Sequence, residues 1–423
     1  MKRVMNVQFS GDYREAYRRM AAGQGETYFG HRYILRGMAG LGRGVGEVAM
    51  FCAITEAAYD ERPTDCLRLM GGGLTSFDTE AVIDAIEAYA PTHLVLHTPY
   101  GRVATWAVAN GIRTMLMLAD SFNGTRIRDR VRYFQLARAL NRPGVEWIAN
   151  HGLKSCLSLQ AIGVDPAKIV PWDYVYRTSP ESHAPRELDG RPDPVELTYV
   201  GSIHESKGCG DAIRAVNRLK ARNLKARLRI AGSGDVEEMQ ALAGRLGLDR
   251  EVVFVGRIAN ERVVEFFREG HIALITSRHA YPEGFPLTIY EALTSRTPIV
   301  ASDHLMFTGN LVDRESALIF EAGNDASLSD RIVELISDPG LYARLSRNAA
   351  RTWQALQLPA KWVDVIATWA RDGDADRPWL RDHAMSAPLS RERLEALRAS
   401  TGRRVPPRAT AAIRQHADEE PVP

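Results

Sequence analysis

Two carboxylates, Glu283 and Glu291, bracket the stretch 283-EGFPLTIYEAL-293. Carboxylates accept hydrogen bonds from vicinal hydroxyls, so one such group can hold a sugar ring and the other a ribose diol. Glu283 follows the apolar run 272-IALITS-277 and lies beside Pro282 and Gly284, whereas Glu291 falls inside a pattern of helical period. Between them Gly284, Phe285, Pro286 and Leu287 occupy a helix start, where backbone N–H groups are unpaired and available to an anionic or hydroxyl-rich ligand. A third group is Lys207 in 201-GSIHESKG-208, placed between a strand and a helix, where an ammonium can meet a phosphate. Gly201 and Gly208 permit close backbone approach there. The loop is neither a Walker A sequence nor GxGxxG, and a solvated loop lysine would need no ligand. The next strand ends in the same manner, with Gly232 in 231-AGSGD-235.

The elements that must position these residues alternate regularly. Strand patterns at 196–202, 227–234, 251–256, 271–277 and 298–303 are separated by helical patterns at 208–223, 235–247, 260–270 and 287–296. Alternation of this kind builds a parallel sheet covered by helices. An earlier series reads the same way, with strands at 4–10, 93–97, 113–120 and 145–150 and helices at 77–90 and 102–111. The fold class is therefore α/β with two doubly wound units. Residues 177–195 carry four prolines and many polar groups and read as an exposed linker. This divides the chain into 1–176, the linker, a second unit at 196–358, a helix at 359–373 bearing Trp362 and Trp369 on one face that can cross back onto the first unit, and a largely disordered tail at 374–423.

With 423 residues there is room for two full cores. Fifty-four basic and 52 acidic residues leave a net charge of +2, which speaks against a general nucleic-acid binder. Cys52, Cys66, Cys156 and Cys209 are scattered without ligand spacing, so neither a zinc site nor a disulfide framework is indicated. No run of about 18 apolar residues predicts a spanning helix, and the beginning of the sequence does not read as a signal peptide. A cytoplasmic location is expected.

The order VGSIHESKG, RIAGSGD, VVFVGRI, EGFPLTIYEAL and TPIVASD, over residues 196 to about 345, resembles the carboxyl-terminal half of retaining GT-B glycosyltransferases of family 4, whose signature is an E-x7-E pair with an upstream lysine. The resemblance implies that Glu283 contacts the donor sugar, Glu291 the ribose and Lys207 the diphosphate. It further implies that Gly256 and Arg257 line the base pocket, that Gly201, Ser202 and Gly232 sit at the donor, and that the backbone of 284–287 contacts sugar or phosphate. Many relatives carry Arg where this chain has Ser202, so the missing charge must come from Arg278, His279 or Arg257. The amino-terminal half is similar in outline: Gly25 and Gly30 lie in the loop and helix start that relatives place near donor and acceptor. Ala119-Asp120 stands where a His-Asp pair is common, with His97 as a substitute for the histidine and Asp120 as a group that could orient the acceptor hydroxyl.

The activity implied is sugar transfer from a UDP- or GDP-linked donor to a saccharide or lipid-linked acceptor, with retention. The nucleotide sugar is a co-substrate, and no cofactor is expected. No Asp-x-Asp suits a metal at the donor, since 374-DAD-376 lies in the tail, so metal-independent catalysis is expected, with Lys207 and helix N-termini stabilising the leaving group. A peripheral membrane contact through the arginine-bearing tail or the helix at 31–38 is a further expectation. The alternatives are a nucleotide-sugar 2-epimerase of the same architecture and an idle nucleotide-binding scaffold. A dehydrogenase finds no support, because no GxGxxG follows the first strand of either half.

Overall fold

The computed structural model describes residues 2–26, 29–124, 126–373 and 376–401. Its strands come from short runs rich in Val, Ile, Leu and Met that are buried on both faces, as parallel strands covered by helices must be. In the amino-terminal unit these are β1 (Lys2–Ser10), β2 (Gly46–Ile54), β3 (Ala58–Thr64), β4 (Leu67–Leu74), β5 (His93–Leu96), β6 (Arg113–Leu118), β7 (Val145–His151) and β8 (Ile169–Trp172). Their spatial order is β3-β4-β2-β1-β5-β6-β7-β8, with β3 antiparallel at one edge and the rest parallel. The helices between them are α1 (Tyr13–Ala21), α2 (His31–Val45), α3 (Thr79–Tyr89), α4 (Gly101–Ala109), α5 (Ile127–Leu140) and α6 (Leu153–Ala161).

The carboxyl-terminal unit holds β9 (Val195–Val200), β10 (Ala226–Ala231), β11 (Val252–Gly256), β12 (Ile272–Ile275), β13 (Ile299–Ser302) and β14 (Leu318–Phe320) in the order β11-β10-β9-β12-β13-β14. Helices α7 (Cys209–Ala221), α8 (Val236–Arg245), α9 (Val263–Glu269), α10 (Leu287–Thr294), α11 (Asp325–Ser337) and α12 (Pro339–Leu356) cover it. In both sheets the direction of winding reverses beside the first strand, between β1 and β5 and between β9 and β12. Crevices at the carboxyl ends of such strands are where doubly wound sheets bind ligands. The expected α/β architecture of two Rossmann-like units is the one observed.

The chain then returns: α13 (Trp362–Arg371) buries Trp362, Val365, Ile366 and Trp369 in the core of the amino-terminal unit. Asp173 is the node of the two crossings. Its backbone pairs with Ala360 and Trp362, and its carboxylate accepts from the hydroxyls of Tyr176 (2.9 Å) and Tyr290 (3.0 Å).

Two expectations are corrected, and one stretch carries strands without a sequence signal. Residues 46–74 supply β2 to β4; β2 is buried almost throughout and β3 alternates around charged residues and Pro63, so neither shows the plain pattern of an amphipathic strand. Residues 177–195 are not a free linker, because Arg186 is held by Gly270 O (2.6 Å), Thr297 Oγ1 (2.8 Å) and Ser346 Oγ (2.7 Å) of the carboxyl-terminal unit. The tail is ordered as far as it is described: α14 (Asp376–Asp382) and α15 (Pro388–Thr401) bury Leu380, Met385, Leu394 and Leu397. These residues are too few for a core of their own but join one already built. Residues 402–423 lie outside the described residues.

Candidate active site in the interdomain cleft

Strand β9 leaves the sheet through Gly201 and Ser202, passes a single 3-10 turn at Glu205–Lys207 and enters α7 at Gly208. Gly208 has φ 76°, and a Cβ there would collide with Thr276 O at the end of β12, so the turn closes onto β12 only with glycine. The same strand end fixes Lys207: Thr276 Oγ1 donates to its carbonyl (3.1 Å), and Arg278 N donates to Ser206 O (2.9 Å). The Lys207 ammonium meets the Glu283 carboxylate and lies 4.6 Å from the centre of the Tyr281 ring. Ser277 Oγ donates to the same carboxylate at 2.6 Å. Both charges are largely withdrawn from water, with side chains 15% and 7% exposed, so each depends on the other. A second anion arriving here would find a cation already positioned.

Glu291 lies on α10, which starts at Pro286 just beyond Gly284 and Phe285. It is buried and accepts from Asn260 Nδ2 at 2.8 Å. Burial pushes its carboxyl up to about 7, against the smaller opposing effect of that amide. It borders a cleft of about 250 Å³ whose floor is made by Gly201, Ser202, Gly232 and Ser233 and whose rim carries Arg257, Leu287 and Phe29. Phe29 comes from the other unit. Residues 23–26 reach over in the same place, where Asn260 N donates to Glu26 O (3.2 Å) and Glu26 N donates to Glu261 Oε1 (2.9 Å).

Two of the three candidate cations for the charge that Ser202 does not supply already have acidic partners. Arg278 is committed to Asp211 (2.6 and 2.7 Å) and Glu205 (2.5 Å), because fully buried Asp211 requires compensation. His279 faces Asp303 at 3.2 Å. Arg257 lines the cleft and has no acidic partner among the described residues.

Residues 284–287 approach the amino-terminal unit closely. A Cβ on Gly284 would collide with Ala119 O, Phe285 packs against Gly152, and Pro286 caps α10. Gly256 ends β11 at the edge of the cleft, and its carbonyl accepts from Gly232 N at 2.9 Å. Asp120, beside Ala119, is half-buried, and burial raises its carboxyl to about 6. Gly30 begins α2 with φ 86° against the Tyr174 ring, and Gly25 packs on the Glu261 carboxylate; neither is beside Lys207. His97 stacks on Trp362, with ring centres 5.4 Å apart, its Nε2 has no hydrogen-bond partner among the described residues, and burial keeps it neutral, its pKa pushed down to about 3.

Asn260, Ser277, Tyr281 and Phe29 belong to the site and have no spacing signal, because each reaches it from a different loop. A row of aromatic rings was also missed. Phe9, Phe77 and Tyr100 stack at 6.1 and 3.7 Å along the carboxyl edge of the amino-terminal sheet, with Phe9 43% exposed.

Glu291 and Asp120 both hold their protons to higher pH in the fold than in the unfolded chain. Their contribution to stability is therefore complete below the ordinary carboxylate range and lost as pH rises through about 6 to 7. Glu291→Gln should accordingly melt close to the wild type at about pH 5 and above it at about pH 8. Thermal melts of the two proteins check this.

Residues 183–352 match the family Glycosyl transferases group 1. Among curated glycosyltransferases, the alpha-D-kanosaminyltransferase of Streptomyces kanamyceticus is 28% identical over 166 residues, 39% of this chain and 42% of that protein. The D-inositol 3-phosphate glycosyltransferase of Acidothermus cellulolyticus is 30% identical over 185 residues, 41% of this chain and 40% of that protein. The chain thus spans about two fifths of the length of these relatives. Likeness to solved glycosyltransferase structures covers both units. Sucrose-phosphate synthase from Thermosynechococcus elongatus aligns with 90% of this chain and 99% of its own at TM-score 0.65 and 17% identity. Anabaena Alr3699/HepE, solved in complex with UDP, aligns with 88% and 99% at TM-score 0.60 and 14% identity. The architecture is GT-B, two Rossmann-like units facing across a cleft.

Proposed function

We propose that this chain transfers a sugar from a nucleotide-sugar donor to an acceptor hydroxyl, retaining the anomeric configuration as family 4 enzymes do. The observation that carries the reading is the buried Lys207–Glu283 pair at the β9/β12 switch point, opening beside the cleft that Glu291 borders. The group 1 match over the same residues and the UDP complex of a protein with this fold support it. In this reading Glu291 accepts the ribose hydroxyls and Arg257 stands at the base or diphosphate, in place of the arginine that Ser202 lacks. Gly201 and Gly232 leave room for the nucleotide, and 284–287 offer N–H donors to sugar and phosphate.

When the donor enters, its diphosphate competes with Glu283 for Lys207, and the freed carboxylate takes up a donor-sugar hydroxyl. As the bond to the sugar breaks, negative charge grows on the leaving phosphate, and a cation fixed beforehand stabilises it without reorganisation. The leaving phosphate can then take the proton of the acceptor on the same face. No metal and no cofactor are invoked.

The acceptor is what separates transfer from 2-epimerisation or idle nucleotide binding. The stacked row of Phe9, Phe77 and Tyr100 beside Asp120 gives an acceptor ring an apolar floor, and Asp120 an orientation for its hydroxyl. Asp120→Asn should raise acceptor KM several-fold and leave donor KM unchanged; unaltered acceptor kinetics would remove Asp120 from the site. The test of the reading is product formation from UDP- and GDP-sugars with saccharide and lipid-linked acceptors in the presence of a chelator. A glycoside product of retained configuration is the expected result. Conversion of the donor alone, with no acceptor consumed, would give the epimerase reading instead.

A further inference from the structure

Helix α5 is apolar on two opposite faces. Leu136, Ala137 and Leu140 are buried against the sheet, and a surface helix normally completes itself with polar residues outside. Here the outer face carries Ile127, Val131 and Phe134, which are 80%, 54% and 67% exposed. Their spacing places them one above another on the helix. Single exposed apolar residues are ordinary, but three in one row make a continuous stripe.

Arginines frame it. Arg130 flanks one side, Arg128 and Arg132 the other, and Arg138 continues the row one turn on. Residues 126–142 contain six arginines and one acidic residue, Asp129, in a chain that is otherwise near charge balance. Asp129 faces Arg132 at 3.7 Å. Arg126, Arg128, Arg130 and Arg138 have no acidic partner among the described residues. Alongside, between α4 and α5, runs a groove of about 710 Å³ lined by Arg132, Arg138 and Arg142, by Trp106, and by Arg102 paired with Glu80 at 2.9 Å.

We propose that the outer face of α5 docks on an anionic membrane surface, with Ile127, Val131 and Phe134 entering the boundary between headgroups and acyl chains and the flanking arginines meeting lipid phosphates. An apolar stripe with cations on both sides matches the layered chemistry of that surface. A second copy of the chain would bring arginines against arginines and is disfavoured on charge. Neither the helix at 31–38 nor the tail is needed: Ile34, Leu35 and Met38 of α2 are buried in the core. Docking also has a direction. Loop 119–124, which supplies Ala119 and Asp120 to the cleft, runs into the amino-terminal end of α5, so the docked face adjoins the cleft mouth. Resting on the function proposed above, this would let the cleft receive an acceptor carried on a lipid.

The test is flotation of the full chain with phosphatidylcholine vesicles, with and without about a third phosphatidylglycerol. Partitioning should rise roughly tenfold with the anionic lipid and fall at high salt. The double variant Ile127→Glu, Phe134→Glu should lose roughly tenfold or more, and Arg128→Glu, Arg130→Glu should lose most of the salt-sensitive part. Phe134→Trp, a conservative change at an exposed site, should show fluorescence quenched by lipids brominated in the acyl chain. Absence of binding to anionic vesicles, equal binding by the stripe double variant, or an unquenched Trp would overturn the proposal. So would a dimer in sedimentation that the stripe double variant dissociates without any vesicle binding by the wild type. Nucleotide binding is read separately on the same proteins, so failure here leaves the donor site untouched.

Discussion

Lys207→Ala should lower kcat by roughly two to three orders of magnitude, the usual effect of deleting one preorganised group that faces developing charge. The ammonium is fixed through its own backbone by the end of β12 and neutralises buried Glu283; in the proposed reaction a diphosphate replaces that partner. Its removal also leaves Glu283 with Ser277 alone, a buried charge stripped of its counter-ion, which costs on the order of 3–5 kcal/mol of stability. The two consequences separate in the double variant Lys207→Met, Glu283→Gln. Deleting both charges should restore most of the melting temperature and none of the turnover. Steady-state kinetics at saturating donor, with melts of the same proteins, decide it. Turnover by Lys207→Ala within about tenfold of the wild type would remove Lys207 from the chemistry.

Gly232→Val should be the most disruptive of the single substitutions in the cleft floor. Gly232 has φ 151°, and a Cβ there would run into Gly201 O, at the exit of the neighbouring strand. A side chain must therefore drive the ends of β9 and β10 apart, in a backbone conformation that only glycine adopts without strain. Overpacking and strain together predict a loss of about 2–4 kcal/mol, with nucleotide binding abolished because the floor itself is displaced. Gly256 is the control. It too has positive φ, 73°, but open space surrounds the position of its missing Cβ, so Gly256→Ala should cost only about 1–2 kcal/mol and keep its nucleotide. If both variants bound nucleotide equally, close approach at Gly232 would have no part in the site.

The architecture was legible because its signal is repetitive. Each strand of a doubly wound sheet is a short apolar run followed by a helix of amphipathic period, and 196–303 repeats that unit without interruption. The signal failed where burial is supplied by something distant in sequence. Residues 376–401 are polar, with a helical pattern only at 390–400, where α15 forms, yet Met385 and Leu394 complete a core made by the first 170 residues. Residues 177–195 look like a free linker, yet Arg186 ties them to the ends of α9 and α10.

The site divides in the same way. Glu283 and Lys207 stand out in the sequence because each follows a strand exit ahead of a helix, whereas Glu291 lies inside α10 and is marked by the resemblance to an E-x7-E pair. Which arginine is free was not legible: Arg278 looked as available as Arg257 until Asp211, buried on α7, was seen to hold it. Asn260, Ser277 and Phe29 carry no pattern of their own, since a loop residue is brought to a cleft by the fold and not by its neighbours in the chain.

Calorimetric titration of the wild type and of Glu291→Ala with UDP, GDP, ADP and NAD, without added metal, puts the donor site itself to the test. One nucleoside diphosphate should bind, and Glu291→Ala should weaken it by about 1–3 kcal/mol, the cost of leaving buried hydrogen-bonding groups unpaired. Binding of none of the nucleoside diphosphates, or equal binding by the two proteins, would contradict the assignment of this cleft to a nucleotide-sugar donor.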